Sequence, residues 1–199
     1  MTTTAEQVLA RALSATGQAI LYWIGQGGRD PGAALPSKLV LVAQEWAGLE
    51  PAEQQALAPL AQAMGIDVHD PALLREACDC SGFVCWALGL ARVLPGPGGG
   101  AWINTDSIWV DARGPHQRFQ QIARARPGAL VVYPKEGSGE HFGHVAIVVE
   151  ADADGQATRI VHCSADNIKN EPHDSIKITS ADKFKAQHRS IYAWCRSVD

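Results

Sequence analysis

The residues of this 199-residue chain best suited to covalent chemistry are a cysteine at the threshold of a helix and two histidines at the ends of hydrophobic runs. Asp79-Cys80-Ser81-Gly82-Phe83-Val84 reads as a loop turning into a helix. A thiol there faces unsatisfied backbone N–H groups and the positive end of the helix dipole. Both favour the thiolate, the nucleophilic form. The same N–H groups could hold the oxyanion that forms when a thiolate attacks an amide carbonyl. Taken alone, Cys80 reads equally well as a buried small hydrophobe, the commoner role of a free cysteine.

A nucleophilic thiol needs a base. Gly143-His144 opens the run Val145–Val149 and His162 closes the run Thr158–His162, with the acidic turn Glu150–Gly155 between them. In a hairpin centred on Ala153 the two histidines stand directly opposite each other on one face, although the turn is long enough for a two-residue slip. One imidazole beside another polar group is what a Cys–His–orienter triad requires, because the third group fixes the tautomer and direction of the base. With a different register, Asp166-Asn167 could orient in place of His162. The competing reading makes the two histidines unrelated; their shared face and the upstream thiol favour pairing. Cys163, next to His162, should point to the opposite face and into the core. His141 reads as an exposed loop residue at the cleft edge. Cys78, Cys80 and Cys85 form Cys-x-Cys-x4-Cys, which is not a usual zinc spacing, so neither a metal nor an organic cofactor is expected.

The elements that must position these residues follow from periodicity and punctuation. Thr3 and Glu6, spaced as a capping box, open a helix carrying Leu9, Leu13, Ile20 and Ile24 that Gly25, Gly27 and Gly28 end. A second helix is expected from about Pro36, with Leu39, Val42, Ala43 and Trp46 on one face. A third runs from Pro51 to Gly65, kinked at Pro59. The Cys80 helix should reach Ala91, followed by a Gly/Pro run through Gly100 that reads as a connecting loop rather than a lid. Short helices are expected over Thr105–Val110 and Gln117–Ala125. Strands follow at Ala129–Tyr133, His144–Val149, Thr158–Cys163, Ser175–Thr179 and Ser190–Trp194. Helices first and strands afterwards imply one α+β domain over 1–199: a helical N-terminal part, 1–75, packed on a central antiparallel sheet within a core of 76–199.

Bulk properties exclude several classes. The net charge is −4, and Arg124–Arg126 is only a mild basic cluster, so no nucleic-acid partner is expected. No segment offers the roughly 18–20 consecutive apolar residues of a membrane helix. Apolar residues make up 46% of the chain, enough to bury a core. The first residues carry no basic-then-apolar leader, so no Sec-type signal is expected. Five cysteines, an odd number, then read most simply as reduced thiols in a protein made in the cytoplasm.

Together the motifs resemble the NlpC-type cell-wall peptidases, papain-like cysteine hydrolases. Asp79–Val84 resembles their nucleophile motif, Arg126–Tyr133 the strand leading toward the base, Gly143–Val149 the base strand, and Val161–Ser164 the segment of the third polar residue. The resemblance covers roughly residues 76–165. It implies a papain-like fold, with Cys80 as nucleophile, His144 as base and His162 as orienter, acting on amide bonds of peptidoglycan stem peptides. It also implies substrate contacts from Asp79 and Ser81, with Asp79 equally readable as a helix cap.

The chain departs from the family pattern in three respects. The family tyrosine, usually near the cysteine, has its nearest counterpart in Tyr22, 58 positions before Cys80. Ala129 replaces an acidic residue, and no wall-binding module is recognised. Without a leader, delivery by phage, lysis holes or a specialised secretion machine is expected, the last with an immunity protein as partner. Alternative readings are a deamidase, acyltransferase or other non-lytic amide hydrolase using the same triad, and an inactive binding domain.

Overall fold

The computed structural model describes residues 3–94 and 101–199, so most of the Gly/Pro run expected as a loop lies outside the described residues. In chain order the elements are α1 (Ala5–Ser14), β1 (Leu21–Tyr22), β2 (Lys38–Leu41), α2 (Val42–Ala47), α3 (Pro51–Ala63), β3 (Leu74–Cys78), α4 (Cys80–Ala87), β4 (Val93–Leu94), β5 (Ala101–Trp102), α5 (Thr105–Arg113), β6 (Phe119–Ile122), β7 (Leu130–Tyr133), β8 (His144–Ala151), β9 (Ala157–Cys163), α6 (Ala165–Ile168), β10 (Ile176–Ser180), α7 (Asp182–Ala186) and β11 (Ile191–Cys195).

A six-stranded sheet of order β10-β9-β8-β7-β11-β6 dominates, antiparallel at every pairing. Alternation along its strands divides the interior between two faces. Leu130, Val132, Val145, Ile147, Val161 and Cys163 join the core that also holds Val8 of α1, Phe83 and Trp86 of α4 and Ile108 of α5. Val131, Tyr133, Ala146, Val148 and Ile160 point the other way, toward Ala181 and Phe184. Burial of a side chain such as Phe83 contributes about 1.5–3 kcal/mol, so α4, buried along its whole length, is held chiefly by packing. The architecture is thus mixed α and β, with antiparallel pairing as expected.

Three expected helices take other forms. The first begins one residue later, capped by Thr4 with Gln7, because Thr3 is extended and bridged to Val198. It also ends at Ser14 rather than near Gly25. The Asp174 carboxylate accepts from the amides of Gly17 (2.6 Å), Gln18 (3.0 Å) and Ile20 (3.2 Å), which draws the chain out of the helix and into β1. The segment after Pro36 is strand β2, paired with β3, and only then helix α2. Leu39 is consequently exposed while Val42 and Trp46 are buried. Gln117–Ala125 is not helical: Asp111 takes the amides of Gln117, Arg118 and Phe119 at 2.8 Å each, and β6 pairs with β11.

Candidate active site

Cys80 occupies the first position of α4, and the turn before it is built around Asp79. One Asp79 carboxylate oxygen accepts from the Gly82 amide (2.8 Å) and the Ser81 hydroxyl (3.1 Å). The other accepts from the Gly25 amide (2.7 Å) and from Arg92 (2.5 Å). Arg92, itself buried, also donates to the Ser81 hydroxyl (2.9 Å) and to the Gln26 carbonyl (2.8 Å), and its guanidinium stacks over Trp102 at 4.2 Å. Asp79 is therefore a helix cap and half of a buried ion pair. Its acceptor positions are filled from within the protein, and the Ser81 hydroxyl lies between Asp79 and Arg92. Arg92 was not singled out by the sequence; Cys80 is separated from it by an entire helix.

The glycines assigned to a helix end instead form a loop pressed onto the start of α4. A Cβ on Gly28, whose φ is +68°, would come within 2.3 Å of the Gly82 carbonyl oxygen. The Asp79 amide donates to the Gln26 carbonyl (3.0 Å), closing the loop against the nucleophile turn. β1 pairs in parallel with β3, setting Tyr22 beside Cys78, and the Tyr22 hydroxyl faces the Cys80 sulfur. Chain separation had left the position of Tyr22 open; the β1–β3 pairing brings it to the thiol. Burial, followed by the negative potential of Cys80 and Asp79, raises the phenol well above its ordinary range, so it remains a proton donor.

His144 opens β8, and the amide of the next residue, Val145, is directed to the Cys80 sulfur. Gly143 precedes it where a Cβ would meet Thr105 Oγ1 at 2.3 Å, so only glycine lets the strand enter against α5. The β8–β9 register pairs Ile147 with Val161, two residues from the direct opposition expected of His144 and His162. A slip of two preserves the face, so the histidines are diagonal neighbours. His144 Nε2 lies 2.7 Å from His162 Nδ1, and His162 Nε2 lies 3.0 Å from Thr179 Oγ1. Phe184 of α7 stacks on the His144 ring with centroids 5.4 Å apart and planes at 19°. Neither Thr179 nor Phe184 carried a functional signal in the sequence. Asn167 does not orient a ring; its amide donates to the carbonyls of His162 and Ser175. Among the described residues no hydrogen bond joins the Cys80 sulfur to the His144 ring.

Burial dominates the electrostatics of the site. Burial, then Asp79 and Cys163, push the Cys80 thiol far up, against the smaller downward pull of the Val145 amide and Arg92. Burial, then His162 and Lys183, push His144 well below the ordinary imidazole range. Burial and Lys183 bring His162 to about 4, against the upward pull of Asp166. Burial therefore outweighs the contacts that favour a thiolate, and the unliganded site holds a neutral thiol and neutral imidazoles.

A cleft of about 250 Å³ is lined by Tyr22, Cys80, Ser81, Trp102, Lys135 and Gly143, among others. A larger, mostly apolar groove of about 810 Å³ adjoins it, sharing Tyr22, Ile24 and Phe142 and reaching the exposed His141. Cys163 is buried on the α4 side, its sulfur 3.3 Å from the Cys78 carbonyl. All five cysteines are free, and no cluster of metal-ligating side chains occurs among the described residues. No helix among them is long and apolar enough to cross a membrane.

Residues 74–164 match the CHAP domain family. This stretch nearly coincides with the one on which the resemblance to papain-like cell-wall peptidases rests, and that resemblance is borne out. No curated protein matches the chain. Among solved structures, the chain is similar to the crystal structure of Ly7917 at 17% identity and a TM-score of 0.42, covering 98% of this chain. It is also similar to Ly7917 with the hydrolyzing product of MDP, at 17% identity and a TM-score of 0.38, covering 97% of this chain. The chain spans 63% of the length of each of these structures.

Proposed function

We propose that the protein is a cysteine hydrolase that cleaves amide bonds in peptidoglycan stem peptides, with Cys80 as nucleophile, His144 as base and His162 as orienter on a papain-like fold. One observation carries the reading. Cys80, at the start of α4, lines a cleft and receives the amide of Val145, the residue after His144, whose ring is hydrogen-bonded to His162. The CHAP match, a cysteine/histidine-dependent amidohydrolase or peptidase domain, supports the choice of reaction. The adjoining groove, large enough for a branched peptide, supports the choice of substrate over an acyl chain in a narrow tunnel.

In this mechanism substrate entry closes the gap between thiol and imidazole, and His144 removes the Cys80 proton as sulfur attacks the carbonyl carbon. Hydrogen bonds at such sites commonly tighten only in the substrate complex. The oxyanion is met by amides at the start of α4 and by the Tyr22 hydroxyl, which stays protonated. His144 then gives its proton to the leaving amine, and water, deprotonated by His144, releases the acyl group. No step requires a metal or organic cofactor. The Asp79 carboxylate fixes the nucleophile turn through Arg92 and lines the cleft, where the resemblance implies a substrate contact for it.

Purified peptidoglycan digested by wild type and by Cys80→Ala, with fragments identified by mass spectrometry, tests the proposal. Stem-peptide fragments from wild type alone are expected. Fragments from neither protein, across walls of different chemistry, would move the substrate to other amides.

A further inference from the structure

The hydrogen-bond chain beyond His162 has a direction. Thr179 Oγ1 lies 3.0 Å from His162 Nε2 and 3.2 Å from the carbonyl oxygen of Ser180. A carbonyl can only accept; with the single hydroxyl hydrogen of Thr179 given to Ser180, its lone pair faces His162. His162 must then carry its proton on Nε2 and present a bare Nδ1. That bare Nδ1 lies 2.7 Å from His144 Nε2, which must in turn be the protonated nitrogen. His144 Nδ1 is left as a lone pair, the state a general base requires. The reverse polarity, with Thr179 donating to His162, would protonate His144 on Nδ1 and disable it.

We infer that Thr179 is a positioning residue that selects the base-competent tautomer of His144 through His162. The inference deepens the proposed Cys80–His144–His162 reading and rests on it for its catalytic consequence. Thr179 can act here because β10 pairs with β9 so that Thr179 opposes Ile160, diagonal to His162 on the same face. The charged groups around His162 are Lys183 of α7 and Asp166, itself bridged to Lys169 at 2.6 Å and to Lys183 at 3.6 Å. Neither hydrogen-bonds a ring nitrogen, so the tautomer is set by Thr179 and not by a carboxylate, the orienter more usual in such triads.

Ring-nitrogen NMR at neutral pH on the full chain reads the tautomers directly, in wild type, Thr179→Val and Thr179→Ser. In wild type both His144 and His162 are expected as Nε2–H. Thr179→Val, matched in shape but unable to accept, should populate Nδ1–H on His144. It should also lower kcat about tenfold with KM unchanged. Thr179→Ser should restore both. Nδ1–H on His144 in the wild type would overturn the inference without any variant, as would a Thr179→Val protein with unaltered tautomers and kcat. If wild type shows the expected tautomers but cleaves no cell wall, the proposed function fails and the relay stands.

Discussion

Replacing Arg92 by methionine tests whether the nucleophile turn is held from behind. The guanidinium and the Asp79 carboxylate are 2% and 6% exposed and 2.5 Å apart, so the pair is shielded from solvent and salt. Methionine fills a similar volume but leaves the carboxylate with two amides, one hydroxyl and no countercharge. It also leaves the Gly27 carbonyl without its guanidinium donor and the Gln26 carbonyl with the Asp79 amide alone. Breaking one side of a buried pair costs about 3–5 kcal/mol, a large part of the roughly 5–15 kcal/mol that holds a domain together. Urea unfolding at neutral pH followed by circular dichroism should show the midpoint fall by that amount with an unchanged slope. Adding Asp79→Asn removes the stranded charge while keeping an acceptor for Gly82, and should recover about 1–2 kcal/mol. The recovery is incomplete because an amide N–H then faces the Gly25 N–H. An Arg92→Met protein within about 1 kcal/mol of wild type, or no recovery in the double variant, would refute this account of the turn.

Three further perturbations follow from the same geometry. His162 titrates at about 4, below the roughly 6.5 of an unfolded imidazole, so the unfolded chain binds more protons and stability falls as pH drops from about 6.5 to about 4. Urea midpoints across that window should fall by the equivalent of about 2–3 kcal/mol more in wild type than in His162→Gln; parallel curves would contradict the buried neutral ring. Tyr22→Phe removes the hydroxyl facing Cys80 and should lower kcat about 10²-fold with stability nearly unchanged, whereas wild-type turnover would exclude Tyr22 from the oxyanion site. Gly28→Ala places a methyl against the Gly82 backbone at a φ of +68° and should destabilise the fold by about 1–3 kcal/mol in thermal melts, while a neutral effect would mean that the glycine loop yields.

The candidate site residues were legible as candidates because each lies at the edge of a strongly patterned segment. The β-branched run after His144 and the run before His162 fixed two strands and a shared face, and the two-residue slip between them left that face intact. The N-terminal third was less legible because long-range polar contacts override local periodicity there. Asp174 ends α1 from 154 or more positions away, and β3, Leu-Arg-Glu-Ala-Cys, carries no β-branched residue to announce the strand that recruits β2 and Tyr22. Arg92, Thr179 and Phe184 act through contacts that only the tertiary structure brings together. The sequence shows the helix start that favours a thiolate at Cys80 but not the burial that raises its thiol more than the Val145 amide and Arg92 lower it.

The central claim is that Cys80 attacks the substrate carbonyl and carries the acyl group. Rapidly quenched digests of cell wall, examined by intact-protein and peptide mass spectrometry, test it most directly. The account predicts a transient acyl adduct on the peptide bearing Cys80, absent in Cys80→Ala, which should cleave nothing. Cleavage retained by Cys80→Ala, or an adduct mapped to one of the other four cysteines, would contradict it.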